Sequence, residues 1–147
     1  MSFRNNTQST NERKGCTMNL NHLGLGVTEV PATVGMLEKY FQMRPVEGSP
    51  DTPNMGFLND DSGALLTIFK VPDATYPKIF HIGFMQDHVD QVEVLHEQLT
   101  ADGFNPGKMK EEHGRLTFYF TAPGGFTVEV NAFITEEVAA RSRSVAK

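Results

Sequence analysis

The four-residue pattern His-(Leu/Ile)-Gly-(Leu/Phe) occurs twice in this chain, as His22-Leu23-Gly24-Leu25 and as His81-Ile82-Gly83-Phe84. A match so short is weak alone. Its force comes from position, because both copies sit in an apolar, strand-like run that feeds an amphipathic helix. Leu20, His22, Leu23, Leu25 and Val27 predict a strand near 19–27. Pro31 suits a first helical turn, and Val34, Leu37, Tyr40 and Phe41 form one apolar stripe over roughly 31–43, with Pro45 as the stop. Strands are then expected near 44–48, 54–59 and 63–70, the last two joined by the turn Asn59-Asp60-Asp61-Ser62-Gly63. After a proline-bearing loop over 72–78, the order repeats: a strand near 79–85, then a helix over 88–102 closed by Asp102-Gly103. Strands near 105–110, 115–122 and 126–133 follow, with Pro123-Gly124-Gly125 at the last hairpin tip.

The chain is thus two βαβββ repeats, an α+β fold. Neither repeat can cover both faces of its own sheet. Side-by-side pairing into a curved mixed sheet around a cavity, with the helices outside, is the expected solution. The 147 residues suffice for one domain. That domain is expected over 18–135, between a polar leader at 1–17 and a polar tail at 136–147. Met18 could serve as an alternative start.

Charge and composition narrow the function. The net charge of −5 argues against a nucleic-acid binder and against a polybasic membrane-surface protein. A single cysteine, Cys16, excludes an internal disulfide and a thiolate-rich zinc site. No apolar run approaches the ~20 residues of a membrane helix. The first residues show no apolar signal region, so a cytoplasmic protein is expected.

Three stretches carry a family resemblance: Asn21-His22-Leu23-Gly24-Leu25-Gly26-Val27, Phe80-His81-Ile82-Gly83-Phe84, and the run from Phe118 to Val130. Together they resemble the vicinal oxygen chelate superfamily. It includes glyoxalase I, methylmalonyl-CoA epimerase, fosfomycin-modifying enzymes, extradiol dioxygenases and bleomycin-binding proteins. The last stretch is similar to the family's strand, Asp-Pro-Asp-Gly turn and glutamate-bearing strand. Here the turn reads Ala122-Pro123-Gly124-Gly125, and both acids are missing.

The resemblance implies a metal site. Family ligands come from the first, fifth and eighth strands, which places them at His22, His81 and Glu129. Two imidazoles and one carboxylate suit a divalent Mn, Fe, Ni, Zn or Co ion with positions left open for a chelating substrate. As mates of the duplication, His22 and His81 should face each other across the cavity. Glu129 is the one acid in an otherwise apolar strand, where a carboxylate needs a cation, a metal or exposure.

The resemblance places the fourth-strand ligand of glyoxalase I at Thr67 or an apolar neighbour, none of them a good ligand or a base for isomerisation. The chain is therefore more similar to the His-His-Glu class, the fosfomycin-modifying and extradiol enzymes. Tyr119, ten residues before Glu129, falls where extradiol enzymes place an active-site tyrosine, and His113 near their further histidine. No histidine lies between His22 and His81 to match the other acid/base histidine of those enzymes. Phosphonate-binding cations could be Lys108, Lys110 and Arg115, whereas the potassium-loop serines have no counterpart over 110–117. His88 and His96 read as surface residues of the second helix. Met36, Met43 and Met55 are candidates for a subunit interface.

The function expected from this is a metal-dependent enzyme, with a lyase, thiol transferase or dioxygenase activity. It would act as a Lewis acid on a small molecule chelated through two vicinal oxygens. Tyr119 would donate a hydrogen bond or a proton, and the chain would form a homodimer. The other expectation is a bleomycin-resistance-type protein that sequesters an antibiotic in an acidic groove without catalysis.

Overall fold

The computed structural model describes residues 18–136. The leader expected over 1–17 and nearly all of the tail expected over 136–147 lie outside the described residues. The elements run β1 (His22–Val27), α1 (Val30–Phe41), β2 (Arg44–Pro45), β3 (Met55–Asn59), β4 (Leu65–Lys70), β5 (His81–Met85), α2 (Val89–Ala101), β6 (Lys110–Glu112), β7 (Arg115–Thr121) and β8 (Thr127–Phe133). Both βαβββ repeats are present. They form two open four-stranded mixed sheets, ordered β1-β4-β3-β2 and β5-β8-β7-β6. No hydrogen-bonded ladder joins the sheets among the described residues, so β1 and β5 each keep a free edge. No helix among the described residues is long and apolar enough to cross a membrane.

Register makes the duplication concrete. Gly24 stands opposite Thr67 in the parallel pair β1–β4, as Gly83 stands opposite Glu129 in β5–β8. Phe57 lies across from Thr67, as Tyr119 lies across from Glu129. Directly opposed residues share a sheet face. One face of each sheet packs its helix, burying Leu25, Val27, Leu58 and Ile68 in the first repeat and Phe118, Val128 and Val130 in the second. The other face stays open. It carries His22, Thr67 and Phe69 in the first repeat, and His81, Glu129 and Tyr119 in the second.

Contacts of several kinds join the repeats. Phe41 at the end of α1 stacks on Phe84 with centroids 4.2 Å apart. The Thr28 N–H donates to the Gly124 carbonyl at 3.2 Å, seating the β7–β8 tip on the start of the first helix. Lys39 and Tyr40 of α1 both donate to the Asp102 carboxylate just after α2, the lysine at 2.9 Å. The Tyr40 hydroxyl first, and Lys39 after it, hold the Asp102 carboxyl below its ordinary value. The link therefore contributes above the unfolded aspartate range and is lost as pH falls through the depressed folded value. An NMR titration of the Asp102 carboxyl should find a midpoint below 3.8, the ordinary value. Tyr40→Phe should move it back up, and an unchanged midpoint would show that the hydroxyl does not hold the charge.

Several expectations shift locally. The first helix ends at Gln42, whose φ of 55° is left-handed, and the Met43 N–H caps the Leu37 carbonyl at 3.3 Å. Pro45 comes after that stop and is a strand residue instead. The strand expected near 105–110 starts only at Lys110, because Pro106 has no N–H to pair. Met36 and Met43 are 3% and 4% exposed, so they belong to the core of the chain and are unavailable to a second copy.

Candidate functional site

Period-2 geometry places His81, Gly83, Glu129, Asn131, Tyr119 and Thr117 together on the open face of the second sheet. Glu129 is central. Gly83 flanks it on β5 and Tyr119 on β7. A Cβ built on Gly83 would meet nothing within 4 Å, so the strand beside the carboxylate is bare and leaves room above it.

His81 Nε2 lies 2.9 Å from Glu129 Oε2, with the imidazole 37% and the carboxylate only 14% exposed. The other ring nitrogen, Nδ1, lies 2.9 Å from the Ile79 carbonyl oxygen. Both ring nitrogens thus face oxygen acceptors. A neutral imidazole carries one proton, and the carbonyl fixes it on Nδ1. The Nε2 lone pair then points at a carboxylate, an arrangement that needs a second proton or a cation between them. The same contact that orients a histidine for metal ligation is thereby in place.

The Tyr119 ring meets the His81 ring edge-on at 5.7 Å. Desolvation, and after it the charge of Glu129, raises the Tyr119 phenol above its ordinary value. At neutral pH the hydroxyl is a neutral donor. The Tyr119 carbonyl accepts the Gly107 N–H at 2.8 Å, which pins this part of β7. Asn131, unremarked in the sequence, donates from Nδ2 to Glu129 Oε1 at 3.1 Å. The signal available was its spacing: residues i and i+2 of a strand share a face.

The structure thus brings His81, Glu129 and Tyr119 together. It leaves His22 on the other sheet, exposed on β1 with Nδ1 2.8 Å from Asn21 Oδ1. No three His, Cys, Asp or Glu side chains gather among the described residues in a way that could hold a metal. Lys110 and Arg115 share the open face with Glu129, and the Arg115 guanidinium sits 4.6 Å from the Phe133 ring centroid. His113 has φ 52° beside Gly114 at φ 73°, a two-residue hairpin turn joining β6 and β7, and takes no part in the site. His88 is the exposed N-cap of α2. His96 is half-buried, its ring 4.9 Å edge-on from Phe118 and its Nε2 2.9 Å from the Gly107 carbonyl, so it is a packing residue where a surface one was expected. A cavity of about 490 Å³ lies between α1 and the 45–58 segment, and none of its lining residues belongs to the His81–Glu129 site.

The family model described as the Glyoxalase/Bleomycin resistance protein/Dioxygenase superfamily matches residues 19–130. The chain belongs to this superfamily. A solved structure of a possible glyoxalase from Bacillus cereus is 38% identical over 78% of this chain and 98% of its own, with a TM-score of 0.71. The fosfomycin resistance protein FosX from Listeria monocytogenes shares the fold at 21% identity, covering 86% of this chain and 99% of its own, with a TM-score of 0.67. Lactoylglutathione lyase from Agrobacterium tumefaciens does so at 16% identity, 79% and 94% coverage, and a TM-score of 0.62. No curated protein matches the chain. At Gly124, one of the two positions where the acidic turn is lost, the reason is packing. Gly124 is buried, and an added Cβ would lie 2.5 Å from Thr33 Oγ1 and 2.7 Å from Val27 Cβ. No side chain fits at that position.

Proposed function

We propose that this superfamily member is a divalent-metal-dependent enzyme acting on a small substrate that chelates through two vicinal oxygens. His81 and Glu129 of one chain supply two ligands, and His22 of a second copy supplies the third. The observation that carries this reading is the His81 ring held between two oxygen acceptors, one of them a largely buried carboxylate. Two imidazoles and a carboxylate suit Mn, Fe, Ni, Zn or Co in the divalent state. When bound, such an ion polarises a substrate oxygen and stabilises developing negative charge.

The protein groups do the rest. The Ile79 carbonyl keeps the His81 proton on Nδ1 and frees Nε2 as a ligand. Tyr119 offers a neutral O–H as hydrogen-bond or proton donor. Gly83 leaves bare backbone for the substrate. Thr67, at the position equivalent to Glu129, supplies no second carboxylate. That absence favours thiol transfer, ring cleavage or another lyase step over proton-shuttling isomerisation. The free β1 edge that carries His22 supports a homodimer. The apolar groups left at the open faces point the same way, with Phe69 41%, Met85 55% and Phe133 51% exposed.

Elemental analysis of protein purified without chelator or a metal-affinity tag tests this. The expected result is about one divalent metal per chain, a stoichiometry set by one three-ligand site per copy. No uptake, even after adding Mn²⁺, Fe²⁺, Ni²⁺ or Zn²⁺, would sink the enzyme reading and leave antibiotic sequestration to be assayed.

A further inference from the structure

Asn131 is 5% exposed and carries the one buried side-chain oxygen or nitrogen without a hydrogen-bond partner among the described residues, its Oδ1. Its Nδ2 donates to Glu129 Oε1. The amide orientation is dictated by that contact, since the reverse would set a carbonyl oxygen against a carboxylate oxygen. Its cross-strand neighbours are Met85 and Thr117. For stability alone an apolar side chain is the better occupant, because a buried unpaired acceptor loses water and gains nothing. The duplication supplies the control. The position equivalent to Asn131 in the first sheet is Phe69, beside Thr67 where the second sheet has Glu129. An amide stands only where there is a carboxylate to hold.

We propose that Asn131 is the positioning residue of Glu129: it fixes Oε1 so that Oε2 faces His81 Nε2, at the expense of its own carbonyl. The consequence for metal affinity rests on the metal-site reading above. A carboxylate tethered in its ligating rotamer has less freedom to lose when a cation binds. Partners that orient ligands in this way are worth roughly 10–100-fold in metal affinity.

The test compares full-length wild type with Asn131→Leu in three measurements: melting in EDTA, Mn²⁺ affinity by titration calorimetry, and metal-free crystal structures. The variant should melt at or above wild type in EDTA and bind Mn²⁺ about tenfold more weakly or worse. In its crystal structure the Glu129 carboxylate should leave His81. A melting point several degrees lower in EDTA would make Asn131 a residue of folding and overturn the proposal, as would unchanged affinity. Should wild type bind no Mn²⁺, the metal reading fails by itself. The crystal structures then decide: Glu129 still seated on His81 in the variant overturns the positioning role, and its displacement supports it.

Discussion

Gly124→Val should melt far below wild type, while Gly83→Ala should melt with it. Gly83 lies inside β5 and Gly124 at the β7–β8 tip, and their surroundings are opposite. A Cβ at 124 would lie 2.5 Å from Thr33 Oγ1 and 2.7 and 2.8 Å from Val27 Cβ and Cγ1. Neither neighbour can yield: the Thr33 hydroxyl donates to the Glu29 carbonyl at 2.6 Å, and Val27 is fully buried. Overpacking of this kind costs about 1–3 kcal/mol, and a branched side chain falls at the upper end. For a domain of this size that is a fall of roughly 6–12 °C in Tm. At Gly83 an added Cβ meets nothing within 4 Å. Thermal melts of both variants decide the matter. A Gly124→Val protein that melts with wild type would show that the β7–β8 tip does not need its seat on the first repeat.

His22→Ala and Glu129→Ala should each empty the metal centre. Each removes one of three ligands, so the loss in affinity should exceed the roughly 10–100-fold carried by groups that only orient a ligand. Stability should respond differently. His22 is exposed and bonded only to its neighbour Asn21, so His22→Ala should melt in EDTA close to wild type. Glu129→Ala leaves the buried Asn131 amide donor without its acceptor, so it should lower the metal-free Tm. Metal content by elemental analysis and melting in EDTA together separate a ligand from a residue of the fold. Retention of metal by either variant would remove that residue from the ligand set.

Much of this was legible in the chain. Apolar period located both helices and the strands that have one face to bury, whereas the wholly exposed β6 begins later than expected. The repeated His-x-Gly opening marked the duplication, and register pairs its two copies at equivalent places. Glu129 was marked as a site residue by the family resemblance, and its place as the one acid in an apolar strand gave that a physical reason. What escaped depends on tertiary geometry. Gln42 ends the first helix by adopting a left-handed conformation that its residue type does not announce. Met36 and Met43 read as interface residues because methionine suits both settings, and only their burial decides. His96 lies off the apolar stripe of α2, yet Phe118 and the Gly107 carbonyl reach it from β7 and the loop after the helix. Duplication symmetry equates His22 with His81, but equivalence does not place them together, and within one chain they sit on separate sheets.

A mixed dimer tests the shared centre most directly. Co-expression of differently tagged His22→Ala and Glu129→Ala chains, with sequential purification and removal of the tags, isolates the heterodimer. One of its two sites then combines His81 and Glu129 of the first chain with His22 of the second, and the other lacks both altered ligands. The account predicts one bound metal per heterodimer and none in either parent homodimer. A heterodimer as empty as its parents, beside a metal-loaded wild type, would contradict it and confine each centre to a single chain.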